Sequence, residues 1–170
     1  MLYFVMNFIK SNKLGLIIIK PKFFIDKRGR FIESFSKKLY FNKLNINFVE
    51  DDFCINNKNV FRGIHGDYKT WKLVSCIHGS IDSYIVNCKK KSPNFGKWEM
   101  FKLNSKNYYQ VLVPPGYGNA YLIKQTGSIY HYKQSNYYSG AKNQFTYKFN
   151  DPRINLKINT KNIILSERDK

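Results

Sequence analysis

Nearly every apolar stretch of this chain is strand-length and closed by a turn signal, a spacing that excludes most architectures other than an all-β one. Residues 14–19 form one such run and end at Lys20-Pro21, and Asp26-Lys27-Arg28-Gly29 is a turn leading into a strand through Phe31, Glu33 and Phe35. Residues 72–77 turn at His78-Gly79 into 80–88, and 97–103 turn at 104–107 into 109–113. Beyond the break at Pro114-Pro115-Gly116, residues 120–124 and 129–134 read as a hairpin around Gln125-Thr126-Gly127. One helix is expected, over 36–45, with Ser36 as its cap and Tyr40, Phe41 and Leu44 on one face. The tail from Asn150 is polar, with a last apolar cluster at Ile163-Ile164-Leu165. The pattern predicts a β sandwich or barrel with one or two short helices, as one domain over residues 1–170.

Composition narrows the function classes. A hydrophobic content of 43% is too high for a disordered chain, despite 29 Lys+Arg against 11 Asp+Glu and a net charge of +18. That excess suggests a phosphate-bearing partner: nucleic acid, an anionic surface or a nucleotide-like molecule. The excess is mostly dispersed lysine beside abundant Asn and Ile, which coding bias explains without a ligand. Arginine occurs only at Arg28, Arg30, Arg62, Arg153 and Arg168. No basic helix or zinc-finger spacing appears, so no nucleic-acid partner is expected. Cys54, Cys76 and Cys88 form neither a CxxC pair nor an even set, which reads as free thiols in a reducing compartment. The apolar amino-terminal residues 1–10 lack a basic leader and a cleavage site and read as strand, so the expectation is a cytoplasmic protein with no membrane partner.

Only three histidines are available for acid–base work. His78, before Gly79, reads as a solvated turn residue. His131, between Tyr130 and Tyr132, faces opposite to both, either on an outer face or packed in a core. His65 follows Arg62-Gly63-Ile64, where alternation puts it on the face away from Arg62 unless Gly63 kinks the strand. A structural and a catalytic role for it are equally open from these residues alone.

Several segments occur in a telling order: Pro21-Lys22-Phe23-Phe24-Ile25-Asp26-Lys27-Arg28-Gly29, Arg62-Gly63-Ile64-His65, Lys72-Leu73-Val74, Lys91-Ser92-Pro93-Asn94-Phe95-Gly96-Lys97-Trp98, Val113-Pro114-Pro115-Gly116-Tyr117-Gly118 and Tyr132-Lys133-Gln134-Ser135-Asn136-Tyr137-Tyr138. Together they resemble the nucleotide-sugar 3,5-epimerases, the dTDP-4-dehydrorhamnose 3,5-epimerase family of cupins. The likeness runs from about Leu16 to Asp169. It implies a cupin jelly-roll barrel that forms a homodimer through its sheets, and an isomerase that needs no cofactor.

The same resemblance assigns roles. A 4-keto sugar has acidified protons at C3 and C5, so epimerisation needs a base on one face, an acid on the other and a donor at the enolate oxygen. By resemblance His65 is the base, Lys72 stabilises the enolate and Tyr132 is the acid. The family's Leu-Ser-x-x-Asp segment is matched by Leu165-Ser166-Glu167-Arg168-Asp169, making Asp169 the partner of the base and Asp151 the fallback. Arg62 is implied to contact the diphosphate, Tyr138 to stack on the base, and Arg28 with Glu33 to reach the ligand of the partner subunit.

Two positions depart from the family pattern. Asn119 stands where the family usually has His, and Ser83 where it usually has Asp. If they face each other, an uncharged pair replaces a charged one, and Asn119 is left to hydrogen-bond a substrate hydroxyl or the C4 oxygen. Metal-binding cupins pair HxH with a later His; here His65 stands alone and Asn119 takes the late position, so no metal is expected. Asn119 in this setting is similar to epimerases acting on GDP-4-keto-6-deoxy-heptoses in capsule biosynthesis. Glu50 and Asp52, where the dTDP-sugar enzymes carry Gln and Asn, agree with guanine, whose N–H groups carboxylates accept. The preferred substrate on these grounds is a GDP sugar. The alternatives are a dTDP-sugar 3,5-epimerase, a 3,4-ketoisomerase of the same barrel, a non-catalytic sugar-binding cupin and a basic nucleic-acid-binding barrel.

Overall fold

The computed structural model describes residues 2–4 and 6–170. The strands are β1 (Leu2–Phe4), β2 (Asn7–Lys10), β3 (Ile17–Lys20), β4 (Lys22–Asp26), β5 (Gly29–Glu33), β6 (Glu50–Asn56) and β7 (Phe61–Gly66). They continue as β8 (Lys72–His78), β9 (Ser80–Asn87), β10 (Trp98–Asn104), β11 (Gln110–Val113), β12 (Tyr117–Ile123), β13 (Ser128–Gln134) and β14 (Phe145–Thr146). One α-helix, α1 (Lys37–Leu44), and a single 3₁₀ turn (Ala141–Asn143) complete the elements. The all-β reading stands, with one helix.

Strand order is β2-β3-β11-β8-β13-β6 in a six-stranded sheet and β10-β9-β12-β7-β14 in a five-stranded one, with β1-β4-β5 apart. The short turns after β8, β10 and β12 carry the chain from one large sheet to the other, which is the jelly-roll plan. This corrects the expected hairpin at Gln125-Thr126-Gly127. The strands β12 and β13 pair with β7 and β9, and with β6 and β8, not with each other. A tight turn with Gly at φ +80 can close a hairpin or a sheet-to-sheet corner, and its residues do not distinguish the two.

Three apolar layers follow from alternation. The inner layer between the large sheets includes Val74, Ile81, Ile85, Val111, Tyr121 and Tyr130. On the far side of the five-stranded sheet, Phe61, Ile64, Val86 and Leu122 are covered by Ile154 and Leu156 of the tail. The tail is therefore less polar in function than in composition: two of its apolar residues complete a core. On the far side of the six-stranded sheet, α1 covers Ile19 and Leu73 with Tyr40. Ser36 stands at the N-cap but makes no side-chain capping bond, and Phe41 is exposed, Leu39 packing beside Tyr40 and Leu44 instead.

Two boundaries differ from expectation. Leu14 lies in a turn, with Gly15 at φ +65, so the strand starts at Ile17. Residues 1–10 hold two strands, while Met1 and Val5 lie outside the described residues. No helix among the described residues is long and apolar enough to cross a membrane.

Candidate active site

An irregularity in β7 builds the site. On β12 the register passes from Asn119 opposite His65 to Tyr121 opposite Arg62, so β7 advances three residues while β12 advances two. The extra residue is a β-bulge, and it returns Arg62 and His65 to one face, correcting the simple alternation. Gly63 makes the bulge possible: its φ is +115, and a Cβ there would lie 2.6 Å from Ala120 Cβ and from the Asn119 carbonyl oxygen. No other residue fits that backbone.

The tail supplies the next group. Phe61 N–H donates to the Ile164 carbonyl (3.0 Å) and Ile164 N–H to that of Asn59 (2.9 Å), with a parallel bridge between Val60 and Ile164. This docking lays residues 165–169 beside β7 and buries Asp169 to 2% exposure. Its Oδ1 lies 2.7 Å from His65 Nε2. A carboxylate only accepts, so Nε2 carries the ring proton and Nδ1 is left as the basic nitrogen. Burial holds the His65 imidazolium below its ordinary 6.5, with Arg168 and Lys72 adding to the depression and Asp169 opposing it. Asp151, the fallback partner, is instead held by Arg153 at 2.7 Å.

A cavity of about 340 Å³ opens in front of this pair. His65, Lys72, Asn119, Tyr132, Arg62 and Tyr138, all expected from the sequence, line it together with Asp169. Inward alternation on β13 puts Tyr130, Tyr132 and Gln134 on its wall, opposite β7. Burial lowers the Lys72 ammonium from its ordinary value and raises the Tyr132 phenol to about 12, with Asp52 assisting the latter. The Tyr132 phenol therefore keeps its proton at neutral pH. Arg62 is steadied by its Nε donating to Asn56 Oδ1 at 3.0 Å.

Asn119 and Ser83 do not sit opposite one another. On β12 and β9, Asn119 pairs with Ile85 and Ser83 with Tyr121, so the two are diagonal on one face. Asn119 Nδ2 donates to the fully buried Tyr130 hydroxyl at 2.7 Å. Its Oδ1 and Ser83 Oγ are buried without a hydrogen-bond partner among the described residues.

Four expected binding residues lie outside this cavity. Arg28 and Glu33 belong to the β4–β5 hairpin; Arg28 is bound to Asp26 at 2.6 Å and borders a separate cavity with Phe24 and Phe31. Within one chain they do not reach His65, because the hairpin pairs with β1 rather than with a large sheet. Glu50 is spent on protein partners, its Oε1 accepting from Gln134 Nε2 (2.6 Å) and its Oε2 from Tyr138 N–H (2.9 Å). Asp52 stands beside it, its pKa raised by burial and by the Glu50 charge. Each Glu50 oxygen thus already accepts a hydrogen bond from the protein, and Glu50 lies outside the cavity that would hold the ligand.

Sequence reasoning passed over Arg168, Ser166, Gln134 and Gln144, which also line the cavity. Arg168 donates to Thr146 Oγ1 (2.9 Å) and Gln144 Oε1 (3.1 Å), adding a third cation beside Arg62 and Lys72. Its place between Ser166 and Asp169 was the available signal. A larger trough of about 860 Å³ continues from the site past Tyr138, Tyr137, Tyr68 and Lys69. Of the other histidines, His78 is exposed, and His131 lies on the outer face between Ser75 Oγ (3.1 Å) and Asp51 Oδ1 (2.5 Å). All three cysteines are free. Among the described residues, no group of three or more His, Cys, Asp or Glu side chains is arranged to hold a metal ion.

Comparison with known proteins places this geometry. The family model for dTDP-4-dehydrorhamnose 3,5-epimerase matches residues 12–170. The dTDP-4-dehydrorhamnose 3,5-epimerase of Escherichia coli K12 is 34% identical over 170 residues, covering 96% of this chain and 91% of its own. The crystal structure of the Legionella pneumophila dTDP-6-deoxy-D-glucose-3,5-epimerase in complex with dTDP-4-keto-L-rhamnose superposes with a TM-score of 0.90 at 31% identity, covering 97% and 90%. That of the Bacillus anthracis dTDP-4-dehydrorhamnose 3,5-epimerase with TDP and pyrophosphate gives 0.88 at 29% identity, covering 97% of both chains. These matches name dTDP sugars, not the GDP-heptoses that Asn119 suggested. The chain belongs to the dTDP-4-dehydrorhamnose 3,5-epimerase family.

Proposed function

We propose that this protein is an isomerase that epimerises a dTDP-4-keto-6-deoxy sugar at C3 and C5. The observation carrying the reading is the buried His65–Asp169 pair facing a cavity shared with Lys72 and Tyr132. His65 Nδ1 removes the proton α to the ketone, and Asp169 stabilises the imidazolium that forms. The electron pair moves onto the C4 oxygen, where the Lys72 ammonium meets the enolate charge. Tyr132 then delivers a proton from the opposite face, and its high pKa keeps that proton available. No step calls on a cofactor.

Arg62 and Arg168 suit the diphosphate as charge-assisted donors. The trough past Tyr138 is large enough for the nucleoside, with exposed tyrosine rings for stacking. Asn119 gives one of its two amide N–H groups to Tyr130 and keeps the other, so it suits a sugar hydroxyl or the C4 oxygen.

The homodimer belongs to the same proposal. The outer face of the six-stranded sheet leaves Phe53 and Ile55 each 66% exposed and Ile77 46%. Such a patch is characteristic of an interface, and a second copy brings its β4–β5 hairpin, with Arg28 and Glu33, to the neighbouring site. Incubation with dTDP-4-keto-6-deoxyglucose, followed by reduction and product identification, tests the reading. The expected product is the C3,C5-inverted sugar, and recovery of unchanged substrate contradicts it.

A further inference from the structure

A carboxylate as buried as Asp169 needs a donor on each oxygen, since an unpaired buried charge is costly. His65 serves Oδ1. The Ser166 hydroxyl serves Oδ2, donating at 2.9 Å, and the Asp169 N–H returns a bond to the Ser166 carbonyl at 3.0 Å. The two residues thus close a four-residue ring that holds the carboxylate within its own turn. Arg168, between them, lines the same cavity and donates to Thr146 and Gln144, which anchors the turn to the strand beside His65.

From this geometry we infer that Ser166 is a positioning residue for proton abstraction, acting through Asp169 on His65. The inference rests on the reading of His65 as the base. The ring fixes which carboxylate oxygen faces the imidazole, so the rotation of His65 and its tautomer depend on a hydroxyl that touches neither the imidazole nor the substrate proton. Without that hydroxyl, Oδ2 has no donor in a desolvated position and the carboxylate swings toward water. The charged groups acting on His65 are Asp169, Arg168 and Lys72. Loosening Asp169 leaves burial and the two cations unopposed.

The test compares Ser166→Ala and Ser166→Thr by deuterium exchange into substrate, with kcat, KM and pH profiles. Loss of one charge-assisted hydrogen bond should lower kcat by about tenfold in Ser166→Ala, with KM within about twofold. The acid limb of kcat/KM should move to lower pH, and Ser166→Thr, which keeps the hydroxyl, should restore both. Wild-type kcat and an unmoved limb in Ser166→Ala overturn the inference. So does a Thr variant as impaired as Ala with a lowered Tm, which marks a purely structural turn. His65→Asn separates the two claims: if it retains exchange, the reading of the base fails. If it loses exchange while Ser166→Ala is unaffected, only the role of Ser166 fails.

Discussion

His65 Nε2 and Asp169 Oδ1 lie 2.7 Å apart although 104 residues separate them in the chain. The contact joins a central strand to a docked tail, so the reactivity of the histidine depends on two parts of the fold at once. Burial disfavours the imidazolium and Asp169 favours it; the first wins, leaving His65 neutral and able to accept a proton at pH 7.

The sign of the Asp169 contribution is testable. Asp169 raises the His65 pKa against the larger effect of burial, so Asp169→Asn should lower it and shift the acid limb of kcat/KM to lower pH. In the wild type that limb should already lie below 6.5, the ordinary value for the group. The rate should fall by about 10²-fold or more, since the imidazolium loses its counter-ion. A limb that moves upward contradicts the assignment.

At the alkaline end the first group to lose its proton should be Lys72, whose pKa burial lowers from 10.5, before Tyr132 at about 12. The alkaline fall in kcat/KM should therefore have a midpoint below 10.5. In Lys72→Arg it should move above the accessible range, because guanidinium keeps its proton. A profile unchanged by the substitution places the alkaline ionisation elsewhere.

The bulge at Gly63 predicts a linked loss. Gly63→Ala forces a Cβ to within 2.6 Å of backbone and side-chain atoms on β12 at a φ that L residues avoid. A cost of about 2–4 kcal/mol is expected, enough to lower Tm by about 5 °C or more. Arg62 and His65 depend on that kink for their common face, so exchange should fall as well. Thermal melts and deuterium exchange on the same preparation check both.

Complementation tests the crossing hairpin. Arg28→Ala and His65→Asn should each be nearly inactive alone, yet regain activity when co-expressed as a mixed dimer. One of its two sites then combines an intact His65 with Arg28 from the other chain. If Arg28 served its own chain's site, the mixture would stay inactive.

Much of this was legible in the sequence, and the remainder has a physical reason. Strand-length apolar runs identified the architecture, because alternation reports burial directly. They could not say that the corner at Gln125-Thr126-Gly127 crosses between sheets, since partner choice is set by distant strands. Seven of the expected residues, Arg62, His65, Lys72, Asn119, Tyr132, Tyr138 and Asp169, share one cavity. The common face of Arg62 and His65 was hidden because a bulge is a property of two strands. Glu50 looked like a ligand-reading carboxylate until Gln134 and the Tyr138 N–H claimed it. Arg168 and Ser166 lie in the Leu165-to-Asp169 segment, but only the docked tail turns them inward.

The central claim is that His65 abstracts a proton α to the 4-keto group. Incubation in D₂O with dTDP-4-keto-6-deoxyglucose, read by NMR, measures it directly. The account predicts deuterium at C3 and C5 with the wild type. With His65→Asn it predicts a loss of about 10²–10⁴-fold or more, while dTDP affinity is retained. Wild-type protein that incorporates no deuterium, or a His65→Asn variant that exchanges at the wild-type rate, would contradict it.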